Sequence, residues 1–328
     1  MPRTISVEIE RFPIAGVFRI SRGSRTQAEV VTCTILEGAT AGRGECVPYP
    51  RYGETLESVT EQIEAMRSSI TEGITRQSLR ETMAPGAARN AIDCALWDLE
   101  AKLSGKRVQA MIGGGEPAAL ITAQTLSIGS PEEMAEEARK HAARKLLKIK
   151  VGVGDEDAAR IAAVAKAAPN SRLIVDANEA WNVENLEENL KIAAELGIAL
   201  VEQPLPAGED AILREITHSV PICADESLHT AEDLSSMRGL YDAVNIKLDK
   251  TGGLTEALIL RDRAREMGFS VMVGCMVGTS LAMAPAVLLA QNADFVDLDG
   301  PLLLARDRTP GLAYADSFVS PPDAELWG

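Results

Sequence analysis

The sequence predicts an α/β protein in which a parallel β-barrel follows a smaller α+β domain. From residue 120 onward, eight short apolar runs alternate with helical segments, a pattern typical of parallel strands that are buried on both faces. Ionisable residues end five successive runs at steps of 26, 26, 23 and 22 residues: Lys150, Asp176, Glu202, Asp225 and Lys247. A step of about 25 residues fits one strand, one helix and two short loops, and eight such strands favour a closed barrel.

The N-terminal third predicts the α+β domain. Two β-runs, ISVEIERFPI and EVVTCTILE, flank the polar, Arg-rich turn ISRGSRTQ. Helical periodicity follows over 55–69, 75–83 and 86–104, the last as a long buried helix. The cluster GGGEP at 113–117 marks the boundary between the two domains.

The barrel strands are predicted from apolar runs that end in turns. In chain order they are LITAQTLSI, KLLKIKV, RLIVDAN, IALVEQP, VPICADE, DAVNIKL, FSVMVGC and DFVDLDG. Segments such as PEEMAEEARKHAA and TEALILRDRAREM provide the helices between them. No Walker loop and no GxGxxG follows any of these strands, so the sequence predicts no nucleotide-phosphate cradle.

Composition excludes several classes of function. A formal net charge of -15 argues against nucleic-acid binding, which depends on cationic contacts to phosphate. No apolar run reaches the roughly 20 residues of a membrane-spanning helix, and no signal-peptide core is recognisable, so we expect a cytoplasmic protein. Five scattered cysteines fit buried thiols in a reducing compartment, and three histidines leave little room for His-based catalysis. The sequence is compatible with either a monomer or a homo-oligomer.

The three carboxylates among the periodic residues predict a metal site. Any one of Asp176, Glu202 and Asp225 alone is better explained as a turn or helix-capping residue. Three on successive strands should converge, because the C-terminal ends of barrel strands face one mouth. Oxygen-only ligation suits Mg²⁺, with Mn²⁺ as the alternative. Glu226 directly follows Asp225 and is expected to face the other side if the strand continues that far.

Lysines flank the predicted metal site. Lys148 and Lys150 are two residues apart, so they share a strand face, and their apolar neighbours favour burial over a solvated strand end. Two close ammonium groups lower each other's pKa, which would make Lys150 a usable base. Lys247 should approach the metal from the opposite side, whereas Lys250 should lie nearer the loop and outside the site.

This arrangement predicts proton transfer at a carbon next to a carboxylate. The proton there is weakly acidic, and a metal can stabilise the resulting enediolate directly. A lysine on each face can remove the proton and return it to the opposite face, which inverts the carbon. A Schiff-base aldolase barrel and a metal-binding scaffold without catalysis are the rival classes, but neither explains both the carboxylates and the lysines.

The motifs resemble the enolase superfamily, in its muconate-lactonizing-enzyme subgroup, over nearly the whole chain. They are KIK at 148–150, DAN at 176–178, EQP at 202–204, ADES at 224–227 and NIKLDKTGG at 245–253. The resemblance implies a modified (β/α)7β TIM-like barrel over 116–304. It implies an α+β capping domain over 1–115, on which a tail of about 305–328 packs.

The same resemblance implies residue roles. Asp176, Glu202 and Asp225 would bind one Mg²⁺ per active site, and Lys150 and Lys247 would be the acid/base pair. Lys148 would contact the substrate carboxylate.

The last strand end narrows the expected substrate. DFVDLDGP carries Asp297 and Asp299, which are two residues apart and have no lysine near them in the sequence. A carboxylate pair suits a substrate ammonium group, although a capped strand end explains it about as well. The motif resembles that of dipeptide epimerases that act on L-Ala-D/L-Glu, as do the segments RGSR, GECVPYPRYGE and GCMVGTS. This implies conversion of L-Ala-D-Glu to L-Ala-L-Glu in murein peptide recycling.

Alternatives within the superfamily are N-acylamino acid racemase, o-succinylbenzoate synthase and muconate cycloisomerase, whose substrates carry no free ammonium. Four further residues are candidates for substrate binding. Arg22 or Arg25 could pair with the side-chain carboxylate of a C-terminal Glu, although exposed arginines are also simply solubilising. Cys275 and Met276 are expected to line the pocket, where Met is as readily plain packing.

Overall fold

The N-terminal domain is built on an antiparallel sheet. The computed structural model describes residues 2–328, and the sheet comprises β1 (Arg3–Ile20), β2 (Gly23–Glu37) and β3 (Thr40–Cys46), paired in that order. The predicted polar turn is shorter than expected, because β1 and β2 run into it and leave only Ser21 and Arg22 unpaired. The resulting long hairpin reaches over the barrel.

One long helix covers the inner face of this sheet. Helix α4 (Ala87–Ser104) is buried over most of its length and packs against β3. Gly42 and Gly44 permit this contact, because a Cβ on Gly44 would overlap Ala91 O and lie 2.7 Å from Ala95 N. The other helices of this domain are α1 (Leu56–Ala65), α2 (Arg67–Thr71), α3 (Arg76–Thr82) and α5 (Val108–Met111), with a 3₁₀ turn at Pro50–Tyr52.

Eight parallel strands form the second domain, in the chain order that the sequence predicts. The backbone hydrogen bond from Ala123 N to Val296 O, 2.9 Å long, joins the two edges of this curled sheet. The strands are β5 (Gln124–Leu126), β6 (Leu146–Lys150), β7 (Arg172–Asp176), β8 (Leu200–Glu202), β9 (Ile222–Ala224), β10 (Ala243–Ile246), β11 (Ser270–Val273) and β12 (Phe295–Val296). The predicted (β/α)7β class of fold is confirmed.

The prediction that strands and helices alternate strictly is wrong at two connections, which lack a full helix. Between β8 and β9 there is only a 3₁₀ helix at Ala211–Arg214, and β9 is followed by the single turn α9 (Leu234–Met237). These connections correspond to the shorter sequence steps of 23 and 22 residues. The other barrel helices are α6 (Pro131–Lys140), α7 (Asp157–Ala167), α8 (Val183–Glu195), α10 (Leu248–Thr251), α11 (Leu254–Glu266) and α12 (Ser280–Leu289), with a 3₁₀ turn at Gly300–Leu303.

The first predicted barrel strand is divided. Its N-terminal half, β4 (Leu120–Ile121), pairs antiparallel with β14 (Phe318–Val319), which in turn pairs with β13 (Tyr314–Ala315). The C-terminal segment then contacts α4, where Trp327 Nε1 donates to Cys94 O at 3.1 Å. The tail therefore touches both domains. Within residues 2–328, no helix combines the length and apolar character needed to cross a bilayer.

Replacement of Gly44 by alanine is expected to separate α4 from β3. Overpacking of this kind lowers the free energy of unfolding by about 1–3 kcal/mol, and urea denaturation followed by circular dichroism would measure it. Gly115→Ala is the matched control, because its Cβ would have no neighbour within 4 Å. Equal stability of the two variants would contradict this account of the contact.

Candidate active site

Three buried carboxylates lie side by side at the C-terminal mouth of the barrel. Asp176 ends β7 and Glu202 ends β8, and the two residues are direct partners in the strand register. Asp225 follows β9. Each side chain is at most 1% exposed. Three negative charges this deeply buried require cationic partners.

Lysine side chains supply those partners. Lys148 Nζ lies 3.0 Å from Asp176 Oδ2, 2.7 Å from Glu202 Oε2 and 2.7 Å from Asp297 Oδ2. Lys150 Nζ donates to Asp176 Oδ2 at 2.6 Å. At the other end of the row, Lys247 Nζ donates to Asp225 Oδ2 at 2.6 Å. Strand order therefore places one lysine on each side of the three carboxylates.

The expected depression of the Lys148 pKa is wrong in this structure. Burial alone lowers the pKa of Lys148, but the charges of Asp176, Asp297 and Glu202 outweigh it and raise the pKa well above its usual range. Burial likewise lowers the pKa of Lys247, but the charges of Asp225 and Glu202 outweigh burial and raise this pKa well above its usual range. Both ammonium groups are therefore charged in this arrangement.

Glu202 is the carboxylate whose negative charge is least stabilised. Burial and the charge of Asp176 raise the pKa of Glu202 to about 7, despite Lys148. The pKa of Asp225 moves the other way, well below its usual range, because Lys247 and Lys250 overcome the effect of burial. Glu202 Oε2 accepts no well-aligned hydrogen bond within the described chain. This oxygen lies 2.7 Å from Lys148 Nζ, and the three carboxylates form an all-oxygen donor set, which fits a hard divalent cation.

The donor set is not gathered around one point. Among residues 2–328, no three acidic, histidine or cysteine side chains converge tightly enough to enclose a metal ion. Lys148 Nζ instead stands between Asp176 and Glu202. The Lys148 ammonium group therefore supplies the positive charge between these two carboxylates.

A cavity of about 190 Å³ opens above this cluster. Lys150 and Lys247 both line it, as do Cys275 and Met276. The capping domain closes the other side with Phe18, Ile20, Arg22, Arg25, Tyr49 and Tyr52. The two predicted acid/base residues therefore face one enclosed space.

Glu226 lies in this cavity, and the condition under which it is expected to face the other side, a strand that continues to Glu226, is not met. The strand ends at Ala224, so the alternation of faces no longer applies at Glu226. Its Oε1 accepts a 2.7 Å hydrogen bond from Arg22 Nη2. Arg22 also donates to Tyr49 Oη and to Asn178 O, both at 2.9 Å. Arg22 is thus committed to protein partners, whereas Arg25 is exposed beside the Tyr49 ring.

The carboxylate pair after β12 is not remote from lysine. Lys148 Nζ donates to Asp297 Oδ2 at 2.7 Å, so a lysine lies beside the pair in space although none is near it in the sequence. Asp297 Oδ1 is buried and has no hydrogen-bond partner within the described residues. Asp299 Oδ2 accepts from Thr125 N at 2.6 Å, and burial together with the charge of Asp297 raises the pKa of Asp299 to about 7. Neither aspartate lines the cavity wall.

Lys250 belongs to the charged cluster and not to the loop. It is 1% exposed, and its Nζ donates to Asp225 Oδ1 at 2.6 Å and to Asn245 O at 3.0 Å. Asn245 is a further residue that sequence reasoning missed, since its Nδ2 donates to Glu202 Oε1 at 2.7 Å. Asn245 lies two residues before Lys247, so the alternation applied to KIK would have found it.

Fold and site together define a class of protein. It is a capped (β/α)7β barrel whose mouth holds three adjacent carboxylates between two lysines. Residues 3–113 match the family model for the mandelate racemase/muconate lactonizing enzyme N-terminal domain, and residues 133–325 match the enolase C-terminal domain-like model. The chain belongs to the enolase superfamily.

Two curated relatives have the same sequence identity to this chain. An L-Ala-D/L-Glu epimerase from Escherichia coli K12 is 48% identical over 95% of this chain and 98% of its own length. An N-acetyl-D-glutamate racemase from a Pseudoalteromonas species is 48% identical over 91% of this chain and 95% of its own length. Both relatives are racemases or epimerases that act on glutamate derivatives.

Solved structures share the whole fold. An enolase family member from Agrobacterium tumefaciens, with homology to dipeptide epimerases, is 60% identical over the full length of both chains, with a TM-score of 0.98. That structure contains sodium and L-Ala-L-Glu. A substrate complex of the L-Ala-D/L-Glu epimerase from Bacillus subtilis is 30% identical over 98% of this chain and 97% of that chain, with a TM-score of 0.92.

Glu179 fastens the capping domain to the barrel mouth. It adopts a left-handed backbone conformation with φ 67°. Its carboxylate accepts from Arg51 at 2.8 Å and from Arg22 at 3.0 Å, so two cap arginines meet on one barrel residue. The Glu179 side chain is 8% exposed, and its pairs are therefore less screened than surface ion pairs.

Glu179→Gln is expected to loosen the hairpin tip. Loss of about 1–2 kcal/mol of pairing would raise the rate of trypsin cleavage after Arg22 and Arg25 about five- to thirtyfold, because cleavage requires local opening. Mass spectrometry of timed digests measures the cleavage rate. Glu29→Gln, which breaks an exposed pair with Arg11 in the same hairpin, is the control and should change little. Equal cleavage in both variants would contradict the fastening role.

Proposed function

We propose that this protein epimerises L-Ala-D-Glu and L-Ala-L-Glu at the α-carbon of the C-terminal residue. Lys150 and Lys247 carry the proton to and from opposite faces of that carbon. The observation that supports this most directly is their placement, because both lysines line one cavity from strands that flank the three carboxylates. The names of the related proteins support the glutamate dipeptide as substrate.

Asp176, Glu202 and Asp225 are the residues that would hold a divalent cation. Mg²⁺ suits these three oxygen donors, and when bound it stabilises negative charge that develops on the substrate carboxylate. Dipeptide epimerase structures from Cytophaga hutchinsonii and Enterococcus faecalis contain Mg with a dipeptide. One ion per site, with Mn²⁺ as a substitute, is our expectation for this chain.

The same carboxylates influence whether Lys247 is protonated. Burial favours the neutral amine of Lys247, and only the charges of Asp225, Glu202 and their neighbours hold its proton in place. When those carboxylates are engaged by another cation, burial acts with less opposition and Lys247 becomes a usable base. Lys148, bridged to the same carboxylates, is placed to contact the substrate carboxylate.

The substrate's two ends suggest two further contacts. Asp297 Oδ1 is an unused buried acceptor, which supports a role for Asp297 and Asp299 in binding a free ammonium group. At the other end, Arg25 lines the cavity and its side chain makes no hydrogen bond within the described residues, so it is freer than Arg22 to meet a glutamate side chain. Cys275 and Met276 would shape the wall between them.

We assign residues 1–115 to the cap and 116–304 to the catalytic barrel, with the tail bridging them. A protein of this activity would act in murein peptide recycling in the cytoplasm.

N-acetyl-D-glutamate racemisation is the second candidate. The ion pair between Lys148 and Asp297 favours it, because an N-acylated substrate has no ammonium group and would leave that pair intact. A relative with this activity is as similar to the chain as the epimerase. The same two lysines would act on the same α-carbon, so only the binding of the amino end differs.

Incubation in D₂O with Mg²⁺ distinguishes the two substrates. L-Ala-D-Glu and L-Ala-L-Glu should each gain deuterium at the glutamate α-carbon and interconvert, as read by ¹H NMR and mass spectrometry. Treatment with EDTA should abolish exchange, and Mg²⁺ should restore it. Exchange in N-acetyl-D-glutamate but in neither dipeptide would replace the dipeptide proposal with the second candidate.

Asp297→Asn should lower kcat/KM for the dipeptide about 10- to 150-fold, because it removes a charged hydrogen bond worth about 1.5–3 kcal/mol. Steady-state kinetics with both epimers would measure this loss. Asp294→Asn is the matched control, since Asp294 precedes the same strand and its carboxylate accepts from Val271 N and Arg265 Nη2, neither of which lines the cavity. Unchanged dipeptide turnover in Asp297→Asn would remove the ammonium-binding role.

A further inference from the structure

We propose that Arg89 of cap helix α4 is a positioning residue for Lys247, acting together with Asp93. In this account the cap fixes one of the two bases, in addition to covering the site. The inference deepens the proposed function, because it assigns the support of Lys247 to a different domain from the one that carries it.

The lysine lies between β10 and a very short helix. Lys247 is the residue before α10, a four-residue helix, and its carbonyl accepts hydrogen bonds from Lys250 N and Thr251 N at 3.0 Å each. A helix of this length is not stable by its own hydrogen bonds. Strand β10 constrains Lys247 from its N-terminal side, so on the C-terminal side the constraint must come from contacts outside α10.

Arg89 supplies that constraint from the other domain. Its Nη2 donates to Thr251 O at 2.6 Å and its Nε donates to Gly252 O at 3.0 Å, which satisfies carbonyls at the C-terminal end of α10. The Nη1 group donates to Arg80 O at 3.0 Å and to Met83 O at 2.8 Å. The side chain is 4% exposed, so one planar guanidinium rigidly links α10 to the segment before α4.

Neighbouring residues of α4 extend the contact. Asp93 Oδ2 accepts from Thr255 N at 3.0 Å, and Asp93 Oδ1 accepts from Thr255 Oγ1 at 2.6 Å. Asn90 Nδ2 donates to Asp249 Oδ1 at 2.8 Å. Because Asn90 and Asp93 are three residues apart, they lie on one face of α4. That face contacts the segment after Lys247 at both Asp249 and Thr255.

Two glycines make this approach possible. Gly252 has φ 72°, and a Cβ there would overlap Arg89 Nε. Gly253 has φ 111°, and a Cβ there would lie 2.5 Å from Asp93 Cβ. The KTGG sequence thus accommodates the two side chains from α4.

Lys150 does not depend on α4. Its Nζ contacts Asp176 Oδ2 at 2.6 Å and Asn178 Oδ1 at 3.1 Å, both on barrel segments. Disturbing Arg89 should therefore displace one base and leave the other in place. A general loss of stability would instead weaken proton transfer by both lysines.

The experiment measures α-proton exchange separately for each epimer in D₂O with Mg²⁺. The epimer whose exchange is lost in Lys247→Gln defines the Lys247 face. In Arg89→Lys, exchange from that epimer should fall on the order of 10- to 100-fold, since a small misplacement of a catalytic group has effects of this size. Exchange from the other epimer should change less than about threefold, because Lys150 is undisturbed. Asp93→Asn, which preserves shape, should act in the same direction if Arg89→Lys folds poorly.

Arg160→Lys is the matched control. Arg160 is also 4% exposed, and it donates to Gly129 O at 2.9 Å and to Val153 O on the barrel side that carries Lys150. Equal losses for both epimers in Arg89→Lys would overturn the proposal. So would the same Lys247-selective loss in Arg160→Lys.

Backbone amide hydrogen exchange tests the constraint without substrate. Amides of 247–253 should lose protection in Arg89→Lys, while those of 146–151 stay unchanged. If the parent protein exchanges neither epimer, the proposed function fails, and this measurement alone decides the positioning role. Unchanged protection over 247–253 would then reject it.

Discussion

The site depends on a balance of buried charge. Four lysines, Lys148, Lys150, Lys247 and Lys250, are in contact with four carboxylates, Asp176, Glu202, Asp225 and Asp297. None of these charges could be buried alone, because an isolated ion in a low-dielectric interior is strongly destabilised. Any added cation must therefore be offset by loss of protons or by an anionic substrate. In the proposed reaction, that coupling would link metal binding, substrate binding and the formation of a neutral base.

The barrel makes this balance possible by separating polar from apolar layers. One inward residue per strand forms an apolar plug below the site: Ala123, Leu146, Ile174, Leu200, Cys223, Ala243, Met272 and Phe295. Two residues further along each strand, the same face carries Thr125, Lys148, Asp176, Glu202, Asp225, Asn245, Gly274 and Asp297. Gly274 is small because a Cβ there would lie 2.6 Å from Asn245 Oδ1. The plug excludes water from below, which strengthens the interactions above it.

The sequence predicts this architecture well where the information is local. Strand ends recur at a regular step, and the alternation of faces correctly buries Lys148 with Lys150. Prediction from the sequence fails where side chains meet across the barrel. Lys148 on β6 meets Asp297 after β12, a pairing that depends on closure of the sheet and on no local signal. The side on which Glu226 lies could not be predicted from alternation, because it depends on where β9 ends, and β9 ends at Ala224.

The capping domain reaches the two candidate bases through different elements. The hairpin tip contacts Asn178, whose side chain accepts from Lys150, while α4 contacts the turn that begins at Lys247. The hairpin contacts are partly solvent-exposed ion pairs, whereas those of α4 are buried and directed at backbone carbonyls. Partly exposed pairs open at lower free energy than buried networks. The cap contact near Lys150 is therefore the weaker of the two, and the contact of α4 with the turn after Lys247 is the more rigid.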